Sequence, residues 1–409
     1  LATKHQLVVS LIFFTRYLGE RNMVEKFVTA IQTNRYLNAT KFAIIKIAYL
    51  NIGVAFGLLA YSVGDRLGFV SLSMKLKVPF MIAMYMVMMS LIFVYLIMKD
   101  LVEEEKGIDV YVPVFVMGLI SLNYLDTKST LLPIIALAIG CIFGVLMPIL
   151  SRLKFKFQAF PPSVADYLNR LIPILIVLVA VFGLGSYGIE LINLLLKPFL
   201  WFTGFLDTYF GLALTIASIG GFWILGVHGV AVMGSLLRPF WFYMMLVNAM
   251  DIALGNNATY IASESFYQWA VWLGGSGCTL GLSIGLAYFA KTNELKTLGT
   301  DSMKSNIFNI NENTLFGVPV VDNPAFKIPF FLAPLLCALV AFFAFSQGYV
   351  TTPSLVMPWV LPVPLGIFFA TLFDFRSLIL SVILIAISFA CYYPFLMKYE
   401  QSLIEKSRS

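Results

Sequence analysis

The chain has 409 residues, of which 60% are hydrophobic and only 12% charged, and its mean hydropathy is +0.90. That balance excludes an ordinary soluble domain. The net charge of +6 is not gathered into a basic, aromatic-interleaved face, so no nucleic-acid partner is expected. The basic residues follow the positive-inside bias of a membrane protein instead.

Residues 1–41 mix apolar residues with Lys4, Arg16, Arg21, Lys26, Arg35 and Lys41 and read as a cytoplasmic, partly amphipathic approach to the bilayer. Leu7–Phe14 is too short and too poorly flanked for a cleaved signal peptide. Apolar runs of near-spanning length follow at Phe42–Tyr61, Val78–Met98, Val110–Leu125, Leu131–Leu150 and Leu171–Gly188. Crossing the hydrocarbon takes about 20 apolar residues. The charged turn 99–109 and the basic residues Arg152, Lys154 and Lys156 separate these runs as solvated loops. Trp201, Phe202 and Phe205 make Glu190–Leu206 an expected interfacial helix at the headgroups. The boundary between the halves is placed near residue 195, with a scaffold over 1–195 and the working half over 196–409.

The second half is less regular. Arg238-Pro239 is expected to interrupt the first run, and Asp251, the Gly255–Asn257 turn and Glu264 come before Trp269 begins another. Arg238 and Asp251 are read either as structural or as the base of a hairpin. Gly274-Gly275-Ser276-Gly277 then breaks that run. Short, glycine-interrupted segments point to re-entrant hairpins around a transport site. Residues 291–304 read as another cytoplasmic loop, a Pro-rich region covers 353–364, and Leu378–Met397 is the last span. The fold class is therefore an all-α polytopic membrane protein of about ten transmembrane helices, with two re-entrant hairpins in the C-terminal half. The basic segments at both ends put both termini in the cytoplasm, which requires an even number of full crossings and suits ten.

The residues that carry chemistry lie in this second half. Phe308–Asn313 packs Asn309, Asn311, Asn313 and Glu312 into six residues between long apolar runs. A charge at bilayer depth costs at least ~2.5–3.5 kcal/mol on insertion scales, so such density belongs to a wet, protein-lined cavity. Three amides and a carboxylate match the vicinal hydroxyls of a sugar, which both donate and accept. Their spacing does not share one helical face, so an extended or loop backbone is expected. His5 needs no special role. His228 sits between Val227 and Gly229 in an apolar run. It is read as a ligand-facing ring rather than a buried histidine bonded to a carbonyl, since glycine permits close approach. The glycine run reads either as a packing seam or as an unwound turn offering N–H donors. The tryptophans 223, 241, 269, 272 and 359 either stack on sugar faces or anchor at the interface.

Neither a dinucleotide nor a Walker A motif is present. The four cysteines, Cys141, Cys278, Cys337 and Cys391, stand alone in apolar segments. Neither a metal site nor a cofactor is expected, and the thiols read as reduced packing residues.

Four blocks occur in order: FWILGVHG at 222–229, GGSGCTLGL at 274–282, FNINENTLFGVPVVDNP at 308–324 with IPF at 328–330, and CYYPFLMKYE at 391–400. On these the chain, from about residue 110 onward, resembles an enzyme IIC of the bacterial sugar phosphotransferase system, in the lactose/cellobiose/diacetylchitobiose family. It departs from the family's pattern in three places. Asn313 stands where proline usually follows the glutamate, and Asp322 where an apolar residue is commoner. The first-span Arg-Asp-Gly and proline are absent.

The resemblance implies a homodimer in the bacterial cytoplasmic membrane, with the N-terminal half at the dimer interface. It implies that a β-linked disaccharide is carried inward and its 6-hydroxyl presented to the phosphocysteine of a separate IIB subunit, with IIA and HPr upstream. His228 and Glu312 would contact the sugar near that hydroxyl. Gly229, the run Gly274, Gly275, Ser276 and Gly277, and the asparagines 309, 311 and 313 would line its site. No IIA or IIB domain is expected in this chain, which has only a short tail after Met397. Two other classes stay open: a proton-coupled secondary sugar transporter, with His228 and Glu312 as a proton relay, and a non-transporting sensor that kept the fold.

Overall fold

The computed structural model describes residues 21–102, 109–125, 127–320 and 323–408. Among these the chain is helical throughout, with no strand. The helices are α1 (Arg21–Thr33), α2 (Arg35–Lys46), α3 (Ala48–Arg66), α4 (Leu72–Val102), α5 (Tyr111–Ser121), α6 (Leu132–Ser151), α7 (Pro162–Leu206), α8 (Tyr209–Ile224) and α9 (Gly229–Ala253). After two short turns at Glu264–Phe266 and Tyr267–Val271 come α10 (Leu280–Phe289), α11 (Asn293–Asn306), α12 (Glu312–Gly317), α13 (Pro324–Ser346), α14 (Val363–Ala370) and α15 (Arg376–Arg408).

Local signals start several of these helices. The Asn34 side chain accepts the N–H groups of Tyr36 and Leu37 at 3.0 Å, capping α2. Asn323 does the same for α13, with Pro324 at its first position. Other features are set by packing. Small residues bring α4 and α6 close together: a Cβ at Gly140 would stand 2.9 Å from Ile97. Phe93 of α4 meets Phe242 of α9 at 5.7 Å, tying the two halves of the chain into one core.

Among the described residues, seven helices are long and apolar enough to cross a membrane, or eight if α2 and α3, bent by 42°, count as one span. Tyr111–Ser121, Tyr209–Ile224 and Leu280–Phe289 are apolar but shorter. The expected count of about ten treats every apolar run alike, whereas the backbone breaks some of them. The expected span Phe42–Tyr61 is in fact the bent pair α2–α3, broken at Ile47.

Three more expectations are corrected. Glu190–Leu206 is not a separate interfacial helix. It is the second arm of the 45-residue α7, kinked at Gly185 (φ 46°), and Tyr187–Leu206 passes as a span. The helix also runs unbroken across residue 195. Arg238-Pro239 does not end a helix, because α9 continues through it. A proline costs its helix one hydrogen bond, and the close packing around α9 holds the remainder in place. Residues 291–304 are mostly helix α11 rather than loop. The expectations for Lys4, His5, Leu7–Phe14, Arg16, Asp322 and residues 103–108 lie outside the described residues.

Long-range bonds identify the two ends of the bundle. At one end an Arg66 guanidinium nitrogen donates to the Leu372 carbonyl at 2.8 Å, the backbone N–H groups of Ile261 and Ala262 donate to Asp207, and that of Thr351 donates to Asp374. At the other end Arg35 donates to the Leu101 carbonyl, and Lys291 and Thr292 donate to Glu400. Between these ends lie the turn before α9, the glycine run, residues 307–318 and residues 355–362.

Candidate functional site

His228 is the N-cap of α9. Its Nδ1 accepts the Ala231 N–H at 3.0 Å. In the neutral ring that leaves Nε2 carrying the proton, as a donor away from the helix. The ring stacks obliquely on Trp223, with centroids 4.5 Å apart. Gly229 also serves packing: a Cβ there would lie 2.0 Å from the Ile219 carbonyl oxygen, so glycine lets α8 and α9 touch.

From His228 a chain of contacts leads to Glu312. Trp223 meets Phe330 at 6.0 Å, and Phe330 lies against Gly277, where a Cβ would be 2.1 Å from the ring. Around this junction a small apolar void of about 20 Å³ is lined by Trp223, Trp272, Gly277 and Phe330. That is room for about one water. The glycine run is fixed by the asparagines that follow it. The Gly274 N–H donates to Asn309 Oδ1 at 3.1 Å, and Asn311 Nδ2 donates to the Ser276 carbonyl at 2.7 Å and to Thr279 Oγ1 at 2.9 Å. Gly275 has φ +100°, and a Cβ on it would fall 2.5 Å from the Asn311 amide carbon. The space beside Gly275 therefore holds the Asn311 amide.

Asn309 sits in the left-handed region at φ 62° and donates to the carbonyls of Trp359 and Leu361 at 2.8 and 3.0 Å. One side chain thus joins three segments: the glycine run, residues 307–311 and the Pro-rich stretch. The expectation of a loop ends at Asn311, because Glu312 opens the short helix α12.

Glu312 and Asn313 are both exposed, and both line a cavity of about 900 Å³. Its other wall is α11, through Asn293, Glu294, Thr297 and Asp301. Such exposure is what a carboxylate in a wet, protein-lined cavity has. Glu312 is not neutralised by Arg238 or Lys327. Arg238 pairs with Glu264 at 3.3 Å, and no ion pair to Glu312 occurs among the described residues. The cavity wall offers an unpaired carboxylate and the Asn313 amide, groups that position a hydroxyl and take its proton, while His228 is not among the residues that line it.

Sequence reasoning misses the polar core behind this site. The Asn306 side-chain oxygen accepts the Ser283 hydroxyl at 2.6 Å and the Thr314 hydroxyl at 2.9 Å, and its amide donates to the Ile310 carbonyl at 2.8 Å, with Ser283, Asn306 and Thr314 fully buried. It also misses Glu400, a buried carboxylate near the end of α15. The available signals were a polar residue at each end of α11 and a single carboxylate after a long apolar run.

Comparisons with known proteins place these features. The profile described as "Phosphotransferase system, EIIC" matches residues 44–334. The lactose-specific EIICB component of Lactococcus lactis subsp. lactis is 29% identical over 257 residues, covering 61% of this chain and 45% of that protein. The lichenan permease IIC component of Bacillus subtilis (strain 168) is 31% identical over 185 residues, 45% of this chain and 41% of its own length. The chain thus matches less than half the length of these curated relatives. The crystal structure of the transporter ChbC, the IIC component of an N,N'-diacetylchitobiose-specific phosphotransferase system, shares the fold. It aligns with a TM-score of 0.77 and 23% identity over 96% of this chain and 100% of that one. With the family profile covering most of its length, the chain belongs to the phosphotransferase system EIIC family.

Proposed function

We propose that the chain is the sugar-translocating IIC subunit of a phosphoenolpyruvate-dependent phosphotransferase system. It binds a β-linked disaccharide of the lactose, cellobiose or diacetylchitobiose type and presents the 6-hydroxyl to the phosphocysteine of a separate IIB protein. The observation that carries this reading is Glu312, a carboxylate on the wall of a large cavity with no ion pair among the described residues. The named substrates of the relatives support the sugar class.

In this reading Glu312 accepts the proton of the 6-hydroxyl while His228 Nε2–H holds the oxygen. The hydroxyl oxygen attacks the phosphorus, the S–P bond breaks, and the cysteine thiolate leaves and is reprotonated. Phosphoryl transfer through a loose transition state asks mainly for such positioning. Asn309 and Asn311 act from behind, holding the glycine run beside Glu312, and Asn313 contacts the sugar. The exposed apolar face of α7, with Val179, Phe182 and Leu195, belongs to the bilayer and to a second copy in a homodimer. The ends that carry Arg35 and Glu400 face the cytoplasm of a bacterial inner membrane. Translocation is a rigid-body shift of the C-terminal half against the scaffold.

The test is phosphoenolpyruvate-dependent phosphorylation of lactose, cellobiose and N,N′-diacetylchitobiose by inverted vesicles, with IIA and IIB supplied. Sugar phosphate should form only when IIB is present. Uptake that proceeds without IIB and collapses with a proton ionophore would instead assign the chain to the secondary transporters.

A further inference from the structure

Glu400 lies near the end of α15, where only 1% of its surface is accessible, yet no ion pair reaches it among the described residues. A buried carboxylate without a cation needs hydrogen bonds to offset its lost hydration. They come from far along the chain: Oε1 accepts the Lys291 N–H at 2.6 Å, the Thr292 N–H at 2.7 Å and the Thr292 hydroxyl at 3.1 Å. These groups sit at the start of α11, whose own N-cap residue, Thr292, makes no side-chain capping bond to it. Glu400 therefore fixes the two residues that lead into α11, with its carboxylate beside the positive end of the helix dipole. The far end of α11 is held by Asn306 against Ser283 and Thr314. In between, Leu298 packs on Gly317 of α12, where a Cβ would be 2.5 Å from it. The helix secured in this way carries Asn293, Glu294, Thr297 and Asp301 across the cavity from Glu312 and Asn313.

We propose that Glu400 is a positioning residue for the Glu312 site: it anchors α11, one wall of the cavity, to the end of α15, and so sets how the sugar hydroxyl and the phosphoryl donor meet beside Glu312. The functional half of this proposal rests on the reading of Glu312 given above. Without the carboxylate, the two residues that lead into α11 lose the group that ties them to α15, and the wall is free to shift.

The full-length protein carrying spin labels at Thr297 and Phe316 reports the wall-to-wall distance. Unlabelled protein in vesicles with IIA and IIB reports sugar affinity and phosphorylation on the same three disaccharides. In Glu400→Ala the distance distribution should broaden and the phosphorylation kcat should fall about 10-fold or more, with sugar affinity held within about twofold. Glu400→Gln keeps an oxygen acceptor for the same N–H groups and should stay within about twofold of wild type in every readout. If Glu400→Ala does not accumulate, Thr292→Val removes one of the three donors and should move distance and kcat in the same direction by a smaller amount. A wild-type distance distribution and kcat in Glu400→Ala would overturn the proposal, as would equal losses of affinity and kcat. A broadened distance in Glu400→Ala, with no sugar phosphorylated even by the wild type, would uphold the anchor and remove the functional reading.

Discussion

At the scale of single residues, Glu312 and His228 carry the functional reading. Glu312 is exposed on the cavity wall, so its role rests on where the carboxylate stands rather than on burial. Glu312→Gln keeps the shape but cannot take a proton. Sugar binding should weaken by roughly one charge-assisted hydrogen bond, ~1.5–3 kcal/mol. Phosphorylation should fall by a further ~100-fold, the usual size of a lost general base. Equilibrium binding and phosphorylation in one preparation separate the two effects, and a wild-type phosphorylation rate would make the carboxylate structural. His228→Gln should also weaken binding. The double variant should lose less than the sum, because both groups act on one hydroxyl.

At the scale of elements, the glycine run and the asparagines form one unit. The sequence argument leaves open whether Gly274–Gly277 is a seam or a ligand turn. The structure places the Asn311 amide in the space a Gly275 side chain would take. Gly275→Ala should therefore lower the thermal midpoint, both by forcing a side chain into a left-handed conformation, at about 1–2 kcal/mol, and by displacing Asn311. Sugar affinity should fall with it, since Asn311 adjoins Glu312. Asn311→Ala in that background should recover part of the loss, a coupling of roughly 0.5–3 kcal/mol in a double-mutant cycle. Strict additivity would show that the two do not share the space.

At the scale of the whole molecule, two measurements apply. Short basic loops stay inside the cell, so cysteines introduced at Lys154 and Lys296 should resist a membrane-impermeant thiol reagent applied to intact cells. Labelling of either from outside would reverse the layout. At the opposite end, Asp207 joins α7 to the Ile261–Ala262 turn. Burial pushes its carboxyl up to about 6 from an ordinary 3.8, against the pull of the two N–H groups it accepts. The folded state thus holds this proton more tightly than the unfolded chain. The group's effect on stability worsens as pH rises from 3.8 through about 6 and stays unfavourable above. Asp207→Asn keeps an oxygen for both N–H groups without the charge. The purified variant should be more stable than wild type at about pH 7.5, by up to ~2–3 kcal/mol, and no more stable at about pH 4. An unchanged difference at both pH values would remove Asp207 as the cause.

The membrane class, the helical fold and the identity of the polar centre were legible in the sequence. Hydropathy sums over some twenty neighbouring residues, and the chemistry of Asn309–Asn313 and His228 is a property of the side chains themselves. The tertiary structure decided how those groups are used. Asn309 binds carbonyls fifty residues away, and Glu400 holds the approach to a helix from 109 residues further along the chain. The bend at Ile47, the passage of α9 through Pro239 and the exposure of Glu312 likewise depend on what packs alongside. Whether a polar group serves a ligand or the protein's own backbone depends on which distant segment folds against it, and no local pattern records that.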